Sequence, residues 1–150
     1  MTPHFRITLL LIAGLFFLPA CGAKKTTDQG AIDAFVAQYE KAYKANDRGA
    51  ILNQVDWPAV NEELRDFTKG YVYPYLGQVP LESIQAVAYE PSPDDPTEHE
   101  GKAIMPSPEP THRVVLTFEP ADAYTDPETL AILIVERDGK VHLCGWSFAD

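Results

Sequence analysis

Apolar positions follow three patterns along this chain, and each predicts a different element. From Ile7 to Leu18 they are almost continuous. A membrane-spanning helix needs about 20 such residues, whereas this run is far shorter and is stopped by Pro19, with Lys24 and Lys25 soon after. With Arg6 as its cationic start, it reads as the apolar core of a removable export signal. From about Asp28 to Ala45 the pattern changes to helical spacing, with Ile32, Phe35, Val36, Tyr39 and Tyr43 on one face and alanines 31, 34, 37 and 42 adding propensity. Thr26 and Gln29 have capping-box spacing, while Asn46, Asp47 and Gly49 mark the exit.

A shorter helical segment is expected over residues 50–55. Asp56-Trp57-Pro58 then reads as a cap with proline near the first helical position. It would open a helix through about Lys69, with Val60, Leu64 and Phe67 on its apolar face and Gly70 at its end.

Alternation takes over after Gly77. Residues 81–90 predict a strand, and His112, Val114, Leu116 and Phe118 alternate with Arg113, Val115, Thr117 and Glu119 in a second. Between them, Pro91, Pro93, Pro96, Pro106, Pro108 and Pro110 interrupt any regular ladder and predict a long surface loop. Residues 129–137 and 140–148 flank Asp138-Gly139, a strong two-residue hairpin signal. That turn sets Arg137 opposite Lys140, Val135 opposite His142, Leu133 opposite Cys144 and Ala131 opposite Trp146. The other surface carries Leu130, Ile132, Ile134, Val141 and Leu143, so both faces of the hairpin are apolar. A sheet covered on one side only should alternate apolar with polar. Either the sheet is curved so that both faces are partly covered, or one face meets a second copy of the chain.

The end of the apolar leader resembles a known signal. Leu18-Pro19-Ala20-Cys21 is similar to the lipobox of bacterial lipoprotein precursors: an aliphatic residue, a variable one, a small one, then cysteine. Pro19 departs from the Ala or Ser more usual there. The resemblance implies a signal peptide over 1–20, diacylglyceryl attachment at Cys21, a tether over 21–27 and one domain over 28–150. Gly22, in place of the Asp that retains such proteins on an inner membrane, implies the periplasmic side of the outer membrane in a two-membrane cell.

Charge and cysteine count agree with that organisation. Losing residues 1–20 removes Arg6 from the 12 basic residues and none of the 22 acidic ones, so the net charge moves from −10 to −11. Such a chain argues against nucleic acid and against an electrostatic grip on anionic headgroups. Of the two cysteines, acylation of Cys21 leaves Cys144 without a disulfide partner, in an apolar run where it acts as a small hydrophobe.

Helices first, then a strand, an insertion and a closing meander ending in Gly139-Lys140-Val141 and Trp146, together with Ala45-Asn46-Asp47-Arg48-Gly49-Ala50 after the first helix, resemble the cone-shaped nuclear transport factor two-like superfamily. The resemblance implies an α+β fold: two or three N-terminal helices packed on a curved antiparallel sheet of about four strands, with a pocket between the first helix and the sheet. Members include enzymes, binding modules and dimerisation domains, so the fold does not name a function.

Candidate chemistry is sparse. Tyr39, Asp56, Trp57, Tyr71, His142 and Trp146 are the residues expected to line such a pocket. Enzymes of the superfamily commonly set an acid with a Tyr or His inside it, which singles out Tyr39, Asp56 and His142. Competing structural roles are a helix cap for Asp56, a core position for His142, and ring packing for the aromatics. Glu98-His99-Glu100 and His112 lack the spacing of a closed zinc site, and Asp94-Asp95 lacks that of a calcium loop. No metal or cofactor is expected. The sequence therefore points to a membrane-tethered, non-catalytic domain that binds an envelope component or a small apolar ligand, with homodimerisation through the terminal hairpin as one outcome. A small hydrolase or isomerase is the alternative.

Overall fold

Asp28 opens the first helix by accepting a hydrogen bond from the Ala31 amide at 3.2 Å. In this computed structural model, which describes residues 28–123 and 126–149, helix α1 runs Gln29–Lys44 and buries Ile32, Phe35, Tyr39, Ala42 and Tyr43. The leader, Cys21 and Thr26 lie outside the described residues, so the cap seen is Asp28. Asn46, at φ 54°, breaks the helix. Asp47 then caps the short α2, Arg48–Leu52, through the Ala50 amide.

The single helix expected from Trp57 to Lys69 is instead divided into two short 3-10 turns, Trp57–Ala59 and Glu62–Leu64, and helix α3, Arg65–Val72. The physical reason is tertiary: the Asn61 amide donates to the Trp146 carbonyl at 3.0 Å, holding the chain extended at Val60. Gly70 lies inside α3 rather than ending it. Asp56 makes no side-chain cap bond.

The fold is α+β with two antiparallel sheets. Strands β1 (Leu81–Ala88), β4 (His112–Phe118), β5 (Thr129–Arg137) and β6 (Lys140–Leu143) pair in the order β1-β4-β5-β6. Strands β2 (Glu98–His99), β3 (Lys102–Ser107) and β7 (Gly145–Phe148) form the other, in the order β2-β3-β7. Two of these, β2 and β3, fall in the segment expected to be loop. Pro106 is tolerated in β3 because β2 pairs only as far as Ala103, leaving the edge beside Pro106 without a partner strand.

The hairpin register is as the turn dictates: Arg137 faces Lys140 and Val135 faces His142. Asp138 and Gly139 have φ of 55° and 73°, the left-handed pair of a type I′ turn. Cys144 still donates to the Leu133 carbonyl at 2.9 Å. One residue later the chain leaves the first sheet, and Trp146 pairs with Pro106 instead of Ala131. Gly145 permits this because its backbone passes against Val60 and Thr68, where any side chain would collide.

Both faces of β5 are buried within the chain from Ile132 to Val135. Ile132, Ile134 and Leu143 join the α1 residues in one apolar cluster. Leu133, Val135 and Cys144 join Leu64, Ile104 and Trp146 in a second. The chain itself thus covers the second face of the hairpin over these residues, and its apolar character no longer calls for another subunit.

Candidate functional site

Tyr39 lies in the first cluster, fully buried, and donates its hydroxyl to the Val72 carbonyl at 2.7 Å. Burial raises its pKa far above the usual tyrosine value. Tyr43, one turn on, donates to Pro74 at 2.6 Å, and burial pushes it up to about 12. His142 sits opposite Val135, on the face that carries the second cluster, so the four-stranded sheet separates it from Tyr39. Asp56 lies near Arg137 at 4.0 Å, and its amide donates to the Leu143 carbonyl. The structure does not bring Tyr39, Asp56 and His142 together.

The other three expected residues divide similarly. Trp57 donates its indole N–H to the Leu52 carbonyl at 3.0 Å. Trp146 is fully buried, edge-on to Phe67 and Tyr71, with no acceptor for its indole N–H among the described residues. Of the six, Tyr71 borders a cleft on the second face of the sheet. His99 rests on the Phe67 ring at 4.7 Å. Among the described residues no three His, Cys, Asp or Glu side chains are grouped so as to hold a metal ion.

Cys144, in the second cluster, has its thiol pushed up to about 12, first by burial and then by the charge of Asp56. We expect it to be inert to a water-soluble disulfide reagent at pH 8 while folded and to react fully in denaturant. Complete labelling of the native protein at the same rate would contradict this.

The cleft beside Tyr71 holds the most distinctive chemistry. It measures about 470 Å³, within the range of small-molecule sites. Its floor is the second face of the sheet, where Val115 pairs with Ala131 beyond the reach of the second cluster. One wall is Tyr71 of α3 and another is the loop at Asp94, Asp95 and Pro96. At the margin, Arg113 Nη2 donates to Asp95 Oδ2 at 2.6 Å and to the Glu90 carbonyl at 2.9 Å. The two side chains are only 14% and 11% exposed. The Asp95 contact holds the guanidinium pKa above its usual value.

The loop is built to present Asp95. Its carboxylate also accepts from the Ser92 amide at 2.9 Å, and its own amide donates to the Ser92 carbonyl at 3.0 Å. The Tyr89 ring lies 5.7 Å from the Arg113 guanidinium carbon. Tyr71 makes its ring contact with Trp146, while its hydroxyl has no hydrogen-bond partner among the described residues. Burial raises its pKa, and Asp95 adds to the rise, so the hydroxyl keeps its proton and acts as a donor.

Sequence reasoning missed Arg113 and Asp95. The available signal was a charged residue on a strand whose same-face neighbour, Val115, is apolar. No family model matches this chain, and neither a curated protein nor a solved structure matches it.

Proposed function

We propose that this protein is a lipid-anchored envelope lipoprotein, held by Cys21 to the periplasmic side of the outer membrane where two membranes exist, whose cone-like α+β domain is a non-catalytic binding module. The carrying observation is the cleft at Tyr71, Arg113 and Asp95. It combines uncovered apolar sheet with hydrogen-bond donors that the fold leaves unused. By contrast, the hydroxyl of Tyr39 and the indole N–H of Trp57 are committed to backbone carbonyls, which leaves the hydrolase or isomerase reading without a convergent acid, base and hydroxyl.

Support for the anchor is the lipobox-like Leu18-Pro19-Ala20-Cys21. Each methylene buried in a bilayer contributes about 0.8 kcal/mol, so two or three acyl chains hold a small domain durably. An acidic domain can then stay beside a surface that does not attract it.

Mass spectrometry of the mature N-terminus is expected to find an acylated Cys21. An unmodified Cys21, Ala23 or Lys24 at that terminus would refute the anchor. Crosslinking in membranes tests the binding role: a repeated partner or co-purifying small molecule is expected. Loss of that capture when Ala131→Phe fills the cleft would place it there.

A further inference from the structure

Strand β1 leaves one sheet edge open. It stands at one end of the order β1-β4-β5-β6. Just past it, the Tyr89 amide donates to the Thr111 carbonyl on the β4 side at 3.0 Å, and bonding alternates along an antiparallel ladder. Ile84, Ala86 and Ala88 therefore turn their N–H and C=O groups away from β4, where no partner meets them among the described residues.

The other edges are closed or blunted. Leu143 of β6 bonds with the backbone of Gln54 and Asp56, the Trp146 carbonyl of β7 takes the Asn61 amide, and β3 presents Pro106, which has no N–H, beyond the end of β2. Exposed edges are commonly protected by proline or charge. From Ser83 to Tyr89 the β1 edge carries neither, and its irregularity lies before that stretch, between Leu81 and Ser83. The first cluster also thins out here, with Ile84 and Ala86 only half-buried.

A two-fold axis at Ala86 sets this stretch antiparallel to itself. Each outward N–H and C=O then finds a counterpart, Ala86 with the partner's Ala86 and Ile84 with the partner's Ala88. The side chains match in size, since Ile84 lies opposite the small Ala88 and Tyr89 opposite Ser83, while Val87 meets the uncharged Gln85. On a chain at net −10, a second acidic copy can approach here without setting carboxylates against one another, because Glu82 and Glu90 lie only at the two ends of the stretch.

We propose that β1 pairs with β1 of a second copy, antiparallel about Ala86, which joins the two four-stranded sheets and covers the open margin of the first cluster. The pairing needs neither lipid at Cys21 nor an occupied cleft at Tyr71.

The test uses residues 21–150 with Cys21→Ser, which keeps the chain free of lipid; both apolar clusters lie wholly between Ile32 and Phe148. A single strand pair belongs to the small specific interfaces, below about 1,200 Å², so sedimentation equilibrium is expected to show dimers forming at roughly 0.1 mM protein. Raising sodium chloride from about 0.05 M to about 0.5 M should tighten the dimer about three-fold or more by screening the repulsion between copies. A basic partner strand would respond to salt in the opposite direction.

Amide hydrogen exchange at Ile84, Ala86 and Ala88 should slow as the dimer forms. Ala86→Pro removes an N–H that β4 does not use, so the variant should stay folded by circular dichroism while dimerising at least about ten-fold more weakly. A strict monomer at about 1 mM protein, ten times the expected range, would overturn the pairing. A dimer unchanged by Ala86→Pro, or one that leaves the three amides exchanging as in the monomer, would overturn it by placing the contact on another surface. Protection of those amides only in membrane extract would assign the edge to a different protein and overturn it too.

Discussion

Replacing Gly145 with alanine is expected to destabilise the fold by about 3 kcal/mol, the upper part of the usual range for overpacking. An added Cβ would lie 2.2 Å from Val60 Cγ2 and 3.1 Å from Thr68 Cγ2. Neither neighbour is free to retreat. Val60 is held by the hydrogen bond its amide donates to the Trp57 carbonyl and by the adjoining one from the Asn61 amide to the Trp146 carbonyl. Thr68 is fully buried in α3. The clash therefore forces apart β7 and the turns before α3, where the second cluster closes. Urea unfolding should show a lower midpoint with an unchanged slope. Val60→Ala removes the Cγ2 atom, so the double variant should be less destabilised than the sum of the two singles. Simple additivity would show that the collision is relieved elsewhere, and a Gly145→Ala loss below about 0.5 kcal/mol, the scale of an ordinary surface change, would refute the packing argument.

Arg113→Met should cost about 1.5–3 kcal/mol, the scale of hydrogen bonds to a charged group lost at a part-buried pair. The pair's exposures of 14% and 11% distinguish it from Lys44–Glu40, at 57% and 34%. A surface pair of that second kind contributes only about 0.3–0.5 kcal/mol. Arg113 also ties the loop to β4 through the Glu90 carbonyl, so its loss should free residues 90–96 as well as weaken the fold. Adding Asp95→Leu removes the stranded carboxylate and should recover much of the loss. Thermal unfolding of the two single variants and the double variant measures this, with Lys44→Met as the comparison. Equal, small effects of Arg113→Met and Lys44→Met would show that the pair is solvated.

The elements readable from sequence were those fixed by neighbours along the chain. Asp138-Gly139 gave the hairpin register because a two-residue turn admits few geometries. The α1 face was legible because burial repeats every third or fourth residue. What failed depended on residues far apart in the chain. The break at Gly145 requires Val60 and Thr68. The division of the expected 57–69 helix requires the Trp146 carbonyl. Strand β3 was hidden by prolines that become acceptable only once β2 proves too short to pair along it.

The candidate site was less legible for the same reason. Tyr39, Trp57 and Trp146 have the composition of a pocket lining, but composition does not say which rings the core absorbs. Arg113 and Asp95 are 18 residues apart and meet only because β4 returns beneath the loop. The absence of calcium-loop spacing at Asp94-Asp95 concerns neighbours along the chain rather than across the sheet.

The passage of the chain from one sheet to the other at Gly145 also has a consequence in time. Trp146 completes the second cluster, and Leu143 completes the first while bonding back to Gln54 and Asp56. Neither cluster can close until Leu143 and Trp146 have left the ribosome, and contacts of such long separation form slowly. If the leader directs export, this delay keeps the newborn chain in the open state that a narrow translocation channel can thread.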